Sequence, residues 1–153
     1  MKVAQRKRLE ELAYQQSRKL EKEGEPDQAI KGYRAMLKKN PLHIGATARL
    51  LIIYRKKGEL QQEIQLLESS LSGHNAYNAL EKKNWIAAHR QLAEDSKALA
   101  GLLGMSESAV LPSPRQEILT KWKLRLQRLK EKLIRDKQLL KKRTTKKKKP
   151  ASK

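Results

Sequence analysis

Residues 114–153 hold 17 Lys or Arg against three Asp or Glu, so this stretch alone carries +14 of the chain's net +20. Arg125, Arg128, Lys132, Arg135, Lys141, Lys142, Arg143, Lys146, Lys147, Lys148 and Lys149 make up a basic arm. Such side chains do two kinds of chemistry: they neutralise phosphates without reading sequence, and they pair with carboxylates, Arg bidentately. No aromatic residue interleaves the terminal lysines, so base stacking is not implied. The run "KKRTTKKKKP" also has the composition of a nuclear import signal.

Other chemistry is harder to assemble. His43, His74 and His89 lie in no H-x-x-H pattern and have no carboxylate at ligand spacing. The chain has no cysteine, which excludes disulfides, thiol catalysis, zinc ribbons and iron–sulfur clusters. It has no Gly-rich phosphate loop and no nucleophile–base–orienter set. No catalytic, metal or cofactor residue is expected, and the residue types point to binding rather than to an enzyme.

The elements that must position the cations follow from periodicity. At 153 residues and 38% hydrophobic content, one domain with a modest core is expected. The N-terminus is basic but lacks an apolar run, and the longest apolar run, residues 50–54, is far too short for a bilayer. A cytoplasmic setting is expected, or a nuclear one in a eukaryote.

A first helix is predicted over 8–22, stopped by Gly24. Pro26 suits the first turn of a second, which buries Ala29, Ile30, Tyr33, Met36 and Leu37 and ends at Pro41. Gly32 inside it costs about 1 kcal/mol against Ala, which close approach of a neighbouring helix would offset. A third helix over 43–57 is capped by Gly58, and a fourth over 60–71 is ended by Ser72 and Gly73.

Residues 76–104 carry Trp85, Ala88, Leu92, Leu99 and Leu103 as a helical stripe ending at Gly104. They are predicted to cover the preceding helices as one long helix, or as two broken near Asn84. A linker spans 105–113. Ser113, Pro114 and Gln116 then open a basic amphipathic helix over 114–142, with a heptad seam at Leu119, Trp122, Leu126, Leu129, Leu133 and Leu140. The Lys-rich tail, 143–153, is expected to be disordered. Both Trp85 and Trp122 are assigned to packing by their stripes, Trp122 with the further option of anchoring a partner helix or a membrane surface.

The first four helices repeat. Shifted by 34 residues, Leu20 falls on Tyr54, Gly24 on Gly58, Glu25 on Glu59, Ile30 on Ile64 and Leu37 on Leu71. With Ser17, Ala29, Tyr33 and Pro41 in the first copy, and Leu50, Leu67 and Ser70 in the second, this pattern resembles the tetratricopeptide repeat family. The copies cover 10–43 and 44–77. The second departs at Leu51, Glu63 and Asn75, where a small residue, Ala and Pro are usual.

The resemblance implies an all-α fold of antiparallel hairpins stacked as an α-solenoid. It also implies a groove lined by Glu11, Tyr14, Arg18, Lys22, Ala48, Arg49, Ile52, Arg55 and Lys56. Tyr14, Arg18 and Arg49 stand where chaperone-binding relatives place a Lys and two Asn, so that carboxylate clamp is absent. An Arg-rich groove favours an acidic peptide or partner helix.

The expected function is therefore a non-enzymatic protein-interaction adaptor or assembly factor. The alternative is non-specific binding of DNA or RNA through the basic arm. The 119–140 seam could also cap the stack or join a second copy as a coiled coil. A membrane is the weakest partner, because cations flank the narrow apolar face on all sides.

Overall fold

The computed structural model describes residues 2–104 and 114–147. It is all-α, with no strand among the described residues. The helices are α1 (Lys2–Lys22), α2 (Pro26–Lys39), α3 (Ile44–Lys57), α4 (Leu60–Ala88), α5 (Arg90–Leu102) and α6 (Pro114–Lys147).

Two turns set the hairpins, and they are built alike. Gly24 and Gly58 both take left-handed backbone, φ 82° and 71°, which a side chain would oppose. Behind them, Glu25 N–H donates to the Leu20 carbonyl at 3.0 Å and Glu59 N–H to the Tyr54 carbonyl at 2.9 Å. Donor and acceptor shift together by the 34-residue period read from the sequence. Pro26 lies in the first turn of α2. His43 caps α3, its Nδ1 accepting from Ala46 N–H at 3.0 Å.

α2 and α3 bury Ala29, Ile30, Tyr33 and Met36 against Ala46, Leu50, Ile53 and Tyr54, with Tyr14 and Leu20 of α1 packed alongside. A second cluster joins Leu51 of α3, Ile64 and Leu67 of α4, and Leu119, Trp122 and Leu129 of α6. α1 can approach α2 closely because Gly32 has no side chain: a Cβ there would lie 2.3 Å from Ser17 Oγ.

Polar ties cross the same layers. Glu21 of α1 accepts from Arg49 Nε of α3 at 3.0 Å and from Tyr33 Oη of α2 at 3.2 Å. Burial, then the neighbouring Glu21 carboxylate, pushes the Tyr33 hydroxyl up to about 12. Arg34 of α2 donates to Tyr54 Oη of α3 at 2.9 Å and to Gln62 of α4 at 2.6 Å.

The C-terminal half differs from the sequence expectation in three ways. First, α4 does not stop at Ser72 and Gly73 but runs to Ala88. The proline that follows α2, Pro41, has Asn75 as its counterpart one period on, so the backbone N–H needed to continue the helix is present. The chain breaks at His89, whose ring stacks on Trp85, rather than near Asn84.

Second, residues 76–104 do not cover the second hairpin. α5 has no buried residue, and Leu92, Leu99 and Leu103 are exposed. Trp85, assigned to packing by its stripe, is 45% exposed, whereas Trp122 is only 9% exposed. Third, the covering layer is α6. It runs antiparallel along α4, with Arg115 over the Tyr77 ring, Trp122 beside His74 and Lys130 paired to Glu68.

The seam of α6 is thus occupied within the chain as far as Leu133, while Ile134, Leu139 and Leu140 stay exposed. α6 also continues beyond the predicted end at 142, to Lys147. The linker 105–113, with its Ser113 cap, and the tail from Lys148 onward lie outside the described residues.

Candidate partner-binding surface

The groove residues inferred from the repeat pattern are dispersed into different duties. Tyr14 is half-buried, its ring 6.0 Å from Tyr33 and 5.4 Å from His43, so it packs the α1–α3 junction. Arg49 is held by both Glu21 oxygens, one through Nε at 3.0 Å and one through Nη2. A partner's carboxylate would have to displace Glu21 to reach it. Glu11, Lys22 and Lys56 are exposed, and Arg18, Ala48 and Ile52 are half-buried.

Arg55 is the groove residue that the fold moves to a new setting. At the end of α3 it meets four members of the basic arm: Arg55, Arg125, Arg128, Lys132 and Arg135 line one cleft of about 310 Å³, together with Gly58, Leu60, Glu63 and Leu129. The helix explains the arm's share. Arg125, Arg128, Lys132 and Arg135 recur every three or four residues, so they form one stripe beside the buried Leu129 and the half-buried Leu126 and Leu133. Docking that apolar seam on α3 and α4 fixes where the stripe lies.

The acidic centre of the cleft was not among the residues singled out for binding. Glu63 is 2% exposed. Arg125 donates to its two oxygens at 2.9 and 3.3 Å, and Arg55 lies 3.6 Å from Oε1. Its only sequence signal was a charged residue where the repeat pattern expects Ala, beside the core residues Ile64 and Leu67. Two guanidinium groups compensate its burial, as a buried carboxylate requires. The cleft still carries five cations for one anion. Arg128, Lys132 and Arg135 make no ion pair with any described residue.

Further out, Lys141, Lys142, Arg143, Lys146 and Lys147 fall on the last turns of α6, while Lys148 and Lys149 lie outside the described residues. A larger cleft, about 610 Å³, lies between α1 and α2 and is lined by apolar groups including Leu9, Ala13, Leu20 and Met36. It contains none of the predicted binding residues.

The histidines have structural settings. His43 caps α3, and His89 contacts Trp85 at the α4–α5 break. His74 is fully buried, 6.3 Å from the Trp122 ring, and neither ring nitrogen has a hydrogen-bond partner among the described residues. Burial, then the charge of Arg115, holds its pKa below the usual histidine value. Among the described residues no group of three or more His, Asp or Glu is placed to hold a metal ion. No described helix is long and apolar enough to cross a membrane.

No protein-family model, curated protein or solved structure matches the chain.

Proposed function

We propose that this chain is a non-enzymatic interaction adaptor of the tetratricopeptide-repeat type, which binds an acidic segment of a partner protein on the basic surface shared by α3 and α6. The observation that carries the reading is the docking of α6. Burying Trp122 and Leu129 against Leu51 and Leu67 sets Arg125, Arg128, Lys132 and Arg135 beside Arg55. Cations from two distant parts of the chain thus form one concave patch. Arginine in such a patch selects carboxylates by its two-pronged geometry, and Glu63 already occupies Arg125 in this manner.

The repeat assignment is supported by the paired turns at Gly24 and Gly58 and by the small-residue contact of Ser17 with Gly32. A cytoplasmic or nuclear setting belongs to the same proposal.

The test is a fluorescence-anisotropy titration of a short Asp/Glu-rich peptide with the full chain and with the Arg128→Ala/Lys132→Ala/Arg135→Ala variant. Loss of about tenfold in affinity is expected if charge-assisted hydrogen bonds of the usual strength are removed. Equal affinity for both proteins would contradict the assignment.

A second reading rests on the +14 of residues 114–153. A cationic helix with a lysine run gives electrostatic, sequence-indifferent binding to DNA or RNA. If about 4–6 phosphates are neutralised on duplex DNA, log affinity falls against log salt with a slope of roughly −4 to −5. Duplex binding with that slope, alongside no peptide binding, would favour this reading over the adaptor.

A further inference from the structure

Glu63 is the organising group of the α3–α6 cleft. Its carboxylate lies between Arg125, which donates to both its oxygens, and Arg55, 3.6 Å from Oε1, so Arg125 is held in place before any ligand arrives. The remaining three cations, Arg128, Lys132 and Arg135, share the same cleft wall and pair with no described residue. With Glu63 counted, the cleft holds a net charge of +4.

Charge restricts what fits: the cleft lining offers five cations against one buried carboxylate. A lone carboxylate carries a single charge and would leave most of the cleft's cations unmatched. A phosphate monoester carries about −1.5 to −2 near neutral pH and presents three strong acceptor oxygens, which matches three unpaired cations far better.

We propose that the cleft formed by Arg55, Arg125, Arg128, Lys132 and Arg135 around the buried Glu63 is a binding site for a phosphate dianion, presented on a phosphorylated side chain of the partner protein. The proposal rests on the adaptor reading and narrows its partner to a phosphorylated acidic segment. Arg128, Lys132 and Arg135 take the phosphate oxygens. Arg55 and Arg125, beside Glu63, supply the surrounding positive field. Glu63 limits affinity, because its own charge opposes the ligand.

The experiment is isothermal titration of the full chain with three versions of one short acidic peptide, carrying phosphoserine, serine or glutamate at its centre. Inorganic phosphate serves as competitor and a single-stranded RNA oligonucleotide as a parallel ligand. The phosphoserine peptide is expected to bind about tenfold or more tightly than the other two, and inorganic phosphate to displace it. Arg128→Ala/Lys132→Ala/Arg135→Ala should abolish the preference. Lys82→Ala/Lys83→Ala/Lys97→Ala, which removes equal charge from exposed positions elsewhere, should keep it.

Glu63→Gln removes no cation and keeps an amide oxygen that can accept from Arg125, so loss of the opposing charge should tighten phosphopeptide binding several-fold. Equal affinity for the phosphoserine and glutamate peptides would overturn the phosphate assignment and leave the adaptor reading standing. Binding of the RNA alone, with no peptide bound, would overturn both. Undiminished preference in the cleft variant, or weaker binding by a folded Glu63→Gln, would also overturn the proposal.

Discussion

Ser17 and Gly32 meet where α1 crosses α2: the Ser17 hydroxyl lies where a side chain at Gly32 would begin, 2.3 Å from that Cβ position. Ser17 is buried and its Oγ donates to the Ala13 carbonyl at 2.9 Å, so it has little room to retreat. Gly32→Ala should gain about 1 kcal/mol in helix propensity but lose more to overpacking, for a net destabilisation of about 1–2 kcal/mol. Adding Ser17→Ala removes the obstructing oxygen and should restore most of the loss. Urea denaturation of the two single variants and the double variant measures the coupling. A Gly32→Ala protein more stable than the parent would show that α1 and α2 are not so close.

The two tryptophans should behave oppositely. Trp122 lies in the α3–α4–α6 cluster, whereas Trp85 sits on the exposed stretch of α4. In a Trp85→Phe variant the remaining indole should emit at shorter wavelength and resist acrylamide. In Trp122→Phe the remaining indole should be quenched freely. Trp122→Ala should cost about 3–5 kcal/mol and open α6 to proteolysis, while Trp85→Ala should stay within about 0.5 kcal/mol of the parent. Equal quenching of the two would place α6 off the hairpins.

His74 makes the docking of α6 sensitive to acid. Its folded pKa lies below the ordinary histidine value of about 6.5 because burial, and secondarily Arg115, penalise the imidazolium. Above that value the ring is neutral in both folded and unfolded chains, and it adds no pH dependence. As pH falls through about 6.5, the unfolded chain takes up the proton first and stability declines. The decline continues until pH passes the lower folded pKa, with a slope of at most about 1.4 kcal/mol per pH unit. His74→Leu should lack this component, so the stability gap between variant and parent should shift in favour of the variant between pH 7.5 and 5.5. Parallel stability curves over that range would show that His74 is not buried in neutral form.

The sequence was legible where local chemistry decides structure. Gly24, Pro26, Pro41 and Gly58 punctuate the first two hairpins, and the spacing of Ala29, Ile30, Tyr33 and Met36 marks the buried face of α2. It was misleading where two stripes of similar periodicity competed for one surface. The Trp85–Leu103 stripe and the Leu119–Leu133 stripe could each cover the second hairpin, and periodicity does not say which one does. The bulkier, more regular seam of α6 holds that place, and α5 stays exposed.

The candidate site was legible as two separate sets of cations, one on the groove and one on the arm. Their meeting at Arg55 depends on the antiparallel docking of α6, a long-range event with no local signal. Glu63 and Glu21 were invisible as partners for the same reason: each is paired across helices, Glu63 to Arg125 and Glu21 to Arg49.

The central claim is that the stripe of α6 and the end of α3 recognise an acidic partner segment together. Amide chemical-shift mapping of the full chain, titrated with a short Asp/Glu-rich peptide at moderate salt, tests it most directly. The account predicts that the largest perturbations fall in two separate stretches, 55–63 and 125–135, and saturate together with one affinity. Perturbations centred on Tyr14 and Arg18 or on α5, with 125–135 unmoved, would contradict it.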